Sequence, residues 1–130
     1  MNYKRYLKEN LNTSDTYSGI VIANYYKDIG SREGFDEILY NEILYNTYLL
    51  KKIKISDLLK TDINLNYFIK NEINDTDIDN YFSSKTMKQP IIIGDTQFDT
   101  NIVIDGYHRI VELLRNNKHY VNAYVPTLQL

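Results

Sequence analysis

The chain has 130 residues, the length of one domain, and its 43% hydrophobic and 25% charged residues are typical of a globular protein rather than a disordered one. It contains no cysteine, which excludes disulfides, thiolate metal sites and cysteine nucleophiles. Fifteen basic and seventeen acidic residues give a formal net charge of −2, which argues against a general nucleic-acid coat protein.

The first 50 residues predict an extension that contains a strand and a helix. A short, frayed helix over residues 3–8 leads into a polar loop. The run SGIVIANYY at residues 18–26 is rich in β-branched and aromatic residues and predicts a strand. Apolar residues at helical spacing then predict an amphipathic helix over residues 32–50, with a pair of short strands at the two ILY repeats (38–40 and 43–45) as the alternative.

Residues 51–130 predict a domain of the α+β class, on which the extension 1–50 packs. The predicted elements, in chain order, are a half-buried strand (51–55), a turn (56–59), an irregular segment (60–76), a short helix (77–87), a strand opened by Pro90 (89–94), a turn (95–100), a buried strand (101–104), a helix that starts after Gly106 and ends near Asn116, and a final strand (120–125). No apolar stretch is long enough for a signal peptide or a membrane span, so we expect a cytoplasmic protein with no membrane partner.

The segment IVIDGYHR at residues 102–109 carries the strongest chemical signal. A glycine between a strand and a helix allows a sharp turn, and the amino end of the following helix favours anions. His108 and Arg109 add two donors there, and Asp105 could hold a metal ion, orient His108 or cap the helix. The alternative interpretation is a capped helix with a turn at Gly106 and two solvated side chains.

Four segments resemble the ParB/sulfiredoxin-like superfamily, namely IKISDL (53–58), QPIIIG (89–94), IVIDGYHRIVELL (102–114) and YVNAYV (120–125). The resemblance implies a small mixed-sheet domain that binds a nucleotide (ATP, ADP or CTP), and we expect Mg²⁺ to accompany it. It also implies that phosphates are bound by Gly106, Tyr107, His108 and Arg109. Sulfiredoxin-like members use a helix before the Pro-led strand as well, which points to Ser84 and Lys85.

Comparison with three branches of this superfamily narrows the activity. Sulfiredoxin needs a cysteine where this chain has Tyr107, so that repair chemistry is excluded. No helix-turn-helix domain follows the motif in these 130 residues, so a self-sufficient DNA clamp is not expected. The motif is most similar to that of ADP-dependent free serine kinases, and this likeness implies an acidic general base, for which Glu72 is the candidate. The alternative interpretation of Glu72 is a solvated carboxylate, one of several in the region.

These observations favour a nucleotide-dependent phosphotransferase or NTP hydrolase, with Asp105, His108 and Glu72 as catalytic candidates and Asp105 as the metal ligand. A non-catalytic interaction or inhibitor protein on the same fold, such as a phage or mobile-element accessory factor, is the alternative, with the tyrosine-rich residues 1–50 as its docking surface. A DNA-binding or nuclease module is less favoured, although a basic strip is available for it: Lys51, Lys52, Lys54, Arg109, Arg115 and Lys118.

Overall fold

A computed structural model describes residues 16–30, 35–72, 89–94 and 102–127. Its strands are β1 (Thr16–Ser18), β2 (Thr47–Lys54), β3 (Ile91–Gly94), β4 (Ile102–Asp105) and β5 (Tyr120–Pro126). Its helices within these residues are α1 (Gly19–Gly30), α2 (Glu37–Leu44), α3 (Ile55–Thr61), α4 (Ile63–Glu72) and α5 (Tyr107–Arg115). The strands form an open sheet in the order β1-β2-β5-β3-β4, which confirms the predicted α+β class.

The chain divides into two compact units, Met1–Lys51 with Tyr124–Leu130, and Lys52–Ala123. The first unit therefore also includes residues 124–130, which the sequence-based division assigns to the second domain. None of the helices in the described ranges is long and apolar enough to cross a lipid bilayer. Three predicted elements lie outside the described residues: the helix over 3–8, the helix over 77–87 and the turn over 95–100.

In the first unit, the strand predicted over residues 18–26 is wrong, because most of this run belongs to helix α1. Ile22, Ala23 and Tyr26 are buried, and their spacing places them on one face of a helix. The β-branched residues Ile20 and Val21, which favoured a strand, are about half exposed (50% and 52%). The buried stripe outweighs the strand propensity of the run.

The helix predicted over residues 32–50 is wrong in its extent, since α2 ends at Leu44 and strand β2 begins at Thr47. Asp36 caps α2 by accepting hydrogen bonds from the backbone N–H groups of Ile38 and Leu39. At the carboxyl end of α2, the chain passes close to the start of α1, since a Cβ on Gly19 would come within 2.6 Å of the carbonyl oxygen of Asn46. Residues 47–49 pair with β1, and Tyr48 is buried, so the carboxyl-terminal part of the predicted helix belongs to the sheet.

In the second unit, the turn predicted at 56–59 and the irregular segment predicted at 60–76 are wrong as far as residue 72, and residues 73–76 lie outside the described residues. Helices α3 and α4 occupy residues 55–72 and meet at Asp62. Asp62 begins α4 by accepting a hydrogen bond from the N–H of Leu65, and Leu65 and Ile69 form the buried stripe of that helix. Asparagines lie between the buried positions of this segment, and they make the helical spacing of the apolar residues hard to recognise in the sequence.

The carboxyl-terminal half of the second unit follows the prediction closely. Strands β3 and β4 pair antiparallel, with Ile93 opposite Val103 and a register shift between Ile92 and Ile93. The predicted Pro-led strand, the following buried strand, the helix after Gly106 and the final strand are confirmed as β3, β4, α5 and β5. The buried apolar residues on these elements are Ile91, Ile92, Ile93, Val103, Ile110, Val111, Val121 and Ala123.

Candidate phosphate-binding turn

The β4–α5 junction is formed by Gly106, which the sequence singles out as the turn residue. Gly106 has φ of 127°, a conformation that side-chain-bearing residues rarely adopt, and it is buried. A Cβ at this position would lie 2.7 Å from the Cβ of Ile91 on β3. The Gly106 carbonyl accepts a hydrogen bond from the N–H of Ile110, so α5 starts directly after the turn. Only glycine satisfies both the backbone angle and the contact with β3.

Replacing Gly106 by alanine should therefore destabilise the second unit by about 2–4 kcal/mol, through backbone strain and overpacking against Ile91. Urea denaturation followed by circular dichroism measures this loss. Lys70→Ala, an exposed change on α4, is the control and should change the free energy of unfolding by no more than about 0.5 kcal/mol. Equal stabilities of the two variants would show that the turn tolerates a side chain.

The Arg109 guanidinium is buried inside the second unit. Arg109 is 0% exposed, and its Nη2 lies 2.5 Å from Oδ2 of Asp105, which is itself 7% exposed. Its Nη1 donates to the carbonyl oxygen of Pro90 at 2.6 Å. One side chain thus joins the end of β4, the residue before β3 and helix α5. This geometry favours an internal brace for Arg109 over direct contact with a phosphate.

The same ion pair bears on the metal role expected of Asp105. A magnesium ligand needs an accessible carboxylate oxygen, whereas Oδ2 of Asp105 contacts a buried guanidinium. Within the described ranges, no three acidic or histidine side chains converge as a metal site would require. In this arrangement the Asp105 carboxylate has a structural role at the turn through Arg109, and its role as a magnesium ligand stays a prediction.

The His108 side chain is partly exposed, as is that of Tyr107, whereas Asp105 and Arg109 are buried. The His108 ring meets Phe68 of α4 edge to face, with 5.1 Å between the ring centres and an interplanar angle of 84°. The Tyr107 ring lies 5.1 Å from the same phenylalanine. Helix α4 thereby supports the first turn of α5, and Phe68 is a supporting residue that the motif alone does not indicate.

Asp62 is a second residue of this region that the motif does not indicate. It is 2% exposed, and its Oδ2 accepts a hydrogen bond from the N–H of Val103 on β4 at 2.9 Å, while Oδ1 accepts from Leu65 at 3.0 Å. Burial, the negative charge of Asp62 and a hydrogen bond to it raise the pKa of Tyr107. Asp62 therefore connects α4, β4 and the first residue of α5. The one sequence signal for it is a helix-capping aspartate three residues before Leu65.

The sequence predicts three other site residues, namely Glu72, Ser84 and Lys85. Glu72 is the half-buried last residue of α4, one helical turn after Phe68, so the two share a face of that helix. This places the Glu72 backbone on the side of α4 that supports His108. Ser84 and Lys85 lie outside the described residues.

Comparison with protein-family models, with curated proteins and with solved structures finds no match to this chain. The functional assignment therefore depends on the motif and on the geometry of its turn.

Proposed function

We propose that the protein binds a nucleoside di- or triphosphate, with the phosphates at the amino end of α5. The observation that carries the proposal is the buried, left-handed Gly106 turn, from which a nine-residue helix starts with no capping side chain at its N-cap position. A helix amino end attracts anions through its backbone N–H groups and its dipole. The likeness of the Asp-Gly-x-His-Arg motif to nucleotide-binding relatives supports the same ligand.

In this proposal His108 contacts the phosphates, and Arg109 maintains the turn. His108 is half-buried beside the amino end of α5, and one ring N–H can donate to a phosphate oxygen. Arg109 keeps Gly106 in position through Asp105 and Pro90. Mg²⁺ would be held by the nucleotide's own phosphates and by water, as is common for this ion.

Hydrolysis or phosphoryl transfer is the reaction that the resemblance implies for the bound nucleotide. Catalysis would consist of positioning and charge neutralisation, since phosphoryl transfer asks for little covalent chemistry from the protein. Glu72 is the candidate base, because it lies on the face of α4 that supports His108 through Phe68. It would accept a proton from the attacking water or hydroxyl group.

The binding proposal predicts that ATP, ADP, CTP or GTP with Mg²⁺ raises the thermal unfolding temperature of the full chain. Ligand at about 100 times its Kd should add roughly 2.7 kcal/mol to the free energy of unfolding. His108→Ala should weaken binding about tenfold or more, because a hydrogen bond to a charged group is lost. Titration calorimetry with the nucleotide that gives the largest shift measures the Kd.

His119→Ala is the matched control, since His119 is the only other histidine and lies beyond the far end of α5. It should leave the nucleotide Kd unchanged. Absence of stabilisation by all four nucleotides would contradict the proposal. An equal loss in both histidine variants would show that His108 does not contact the phosphates.

A further inference from the structure

A small cavity lies in the second unit, between the beginning of α3 and the end of α5. Its volume is about 150 Å³. The side chains of Ile55, Leu59 and Leu114 give it apolar walls, and its other lining residues are Lys54, Ser56 and His119. Eight residues of helix, about 12 Å, separate Leu114 from Gly106. The cavity is therefore distinct from the turn proposed to bind phosphates.

The size and the walls of the cavity favour an apolar group as its occupant. An aliphatic cavity of about 150 Å³ accommodates a benzene-sized group and gives water few hydrogen-bond partners. A leucine-sized side chain that enters it would leave water and gain the free energy of apolar burial. The cavity can thus receive one aliphatic side chain from outside.

One lysine, Lys54, lines this cavity and two more lie close to lining residues in the chain, although the whole chain has a net charge of −2. The N–H of Ile55 donates to the carbonyl of His119 at 2.9 Å, which brings Lys54 next to the segment of Lys118 and His119. Lys52 lies two residues before Lys54, and its Nζ is 5.8 Å from the ring centre of Tyr120.

The exposed acidic residue of α3 does not cancel this charge. The Asp57 carboxylate lies 3.7 Å from the ammonium group of Lys60 on the same helix. Its charge is therefore offset by Lys60 rather than by the lysines at the cavity. Lysines thus lie on the strand that leads into α3 and on the segment that follows α5, and this arrangement suits an apolar group flanked by carboxylates.

We propose that this cavity docks a short acidic peptide segment of a partner protein, which inserts one aliphatic side chain between α3 and α5. The apolar walls bind the aliphatic side chain, and Lys52, Lys54 and Lys118 attract the flanking carboxylates. A nucleic acid would satisfy the charges, but it presents no aliphatic side chain to the cavity. The observations therefore favour a peptide.

Fluorescence anisotropy of a labelled peptide with a central leucine, flanked on each side by two glutamates, tests the proposal on the full chain. We expect saturable binding that weakens as salt is added. Exchanging the leucine for alanine should weaken binding about tenfold or more, because the buried aliphatic group is lost. Ser56→Phe, which fills the cavity mouth from an exposed position, should weaken binding to a similar degree.

Lys54→Glu should weaken binding about fivefold or more, since an attraction becomes a repulsion. Lys70→Glu is its matched control, because it makes the same charge change at an exposed position of α4 outside the cavity lining, and it should leave the affinity within about twofold. Circular dichroism and thermal unfolding establish that each variant is folded.

Three results would overturn the proposal: no saturable binding, equal affinity for the leucine and alanine peptides, or equal losses for Lys54→Glu and Lys70→Glu. Single-stranded DNA that displaces the leucine peptide from a folded wild-type chain would assign the surface to nucleic acid instead. None of these readouts depends on nucleotide binding.

Discussion

Replacing Arg109 by methionine is expected to lower the free energy of unfolding by about 3–5 kcal/mol. Asp105 is buried (7% exposed), and the substitution removes the guanidinium that compensates its charge. The substitution also removes the hydrogen-bond donor to the Pro90 carbonyl. Urea denaturation of the full chain measures the loss. Lys60→Met is the control, because Lys60 pairs with Asp57 at 3.7 Å and both side chains are exposed, and a loss of less than about 0.5 kcal/mol is expected there.

A second variant distinguishes two causes of this loss of stability, namely the lost ion pair and the lost packing. In Asp105→Leu combined with Arg109→Met, both charges are replaced by apolar side chains, and most of the stability should return. If Arg109→Met alone loses less than about 1 kcal/mol, the pair does not brace the turn. If the double variant is as unstable as the single one, the Pro90 contact and packing, rather than the loss of the ion pair, account for the lower stability.

The burial of Arg109 also decides which variant can test ligand binding. Because Arg109 is internal, Arg109→Ala would abolish a nucleotide-dependent thermal shift by damaging the fold, whatever its contact with phosphate. His108 is half-buried, so its substitution by alanine removes a proposed ligand contact at a smaller cost in stability. The histidine variants are therefore the informative ones for the phosphate proposal.

Asp62→Ala is the second change with a large expected effect, a loss of about 3 kcal/mol from the free energy of unfolding. It leaves the buried N–H groups of Leu65 and Val103 without their carboxylate acceptor and removes the partner of Tyr107. Chemical denaturation measures the loss. Amide hydrogen exchange at Val103 should also accelerate, since that N–H belongs to β4 at the end of the sheet order.

Asp57→Ala provides the comparison for Asp62→Ala. Asp57 is exposed and contacts Lys60 at 3.7 Å, so its removal should change the free energy of unfolding by less than about 0.5 kcal/mol. Equal losses in the two aspartate variants would contradict the connecting role of Asp62. Asp62→Asn should lie between wild type and Asp62→Ala, because one amide oxygen can still accept a hydrogen bond.

The role of Asp62 also explains how one backbone N–H group of the strand at the end of the sheet order is satisfied. Strand β4 is the last strand in the sheet order, and unpaired N–H groups on such a strand favour association with other chains. The Asp62 carboxylate accepts from Val103 on this strand. A capping residue of α4 thus satisfies a backbone group of the sheet as well.

The candidate site was predictable from the sequence only in part. The motif locates the turn at Gly106 and the start of α5, because a glycine between an apolar run and a helical pattern has few other uses. It does not reveal that Arg109 points inward. A guanidinium has the same sequence signature whether it binds a ligand or an internal carboxylate, and Asp105 lies four residues before it in either case.

Local pattern by itself determined the strands β3, β4 and β5 and the helix α5, where Pro90, Gly106 and short apolar runs agree about each boundary. Tertiary packing, in contrast, sets the conformation of residues 18–26 and 60–72 and the burial of Arg109 and Asp62. Their conformation depends on which residues cover one face of a helix and which groups accept a hydrogen bond, such as Asp62 for Val103 and the Pro90 carbonyl for Arg109. These partners lie 41 and 19 residues apart in the chain, so local spacing and propensity do not predict them.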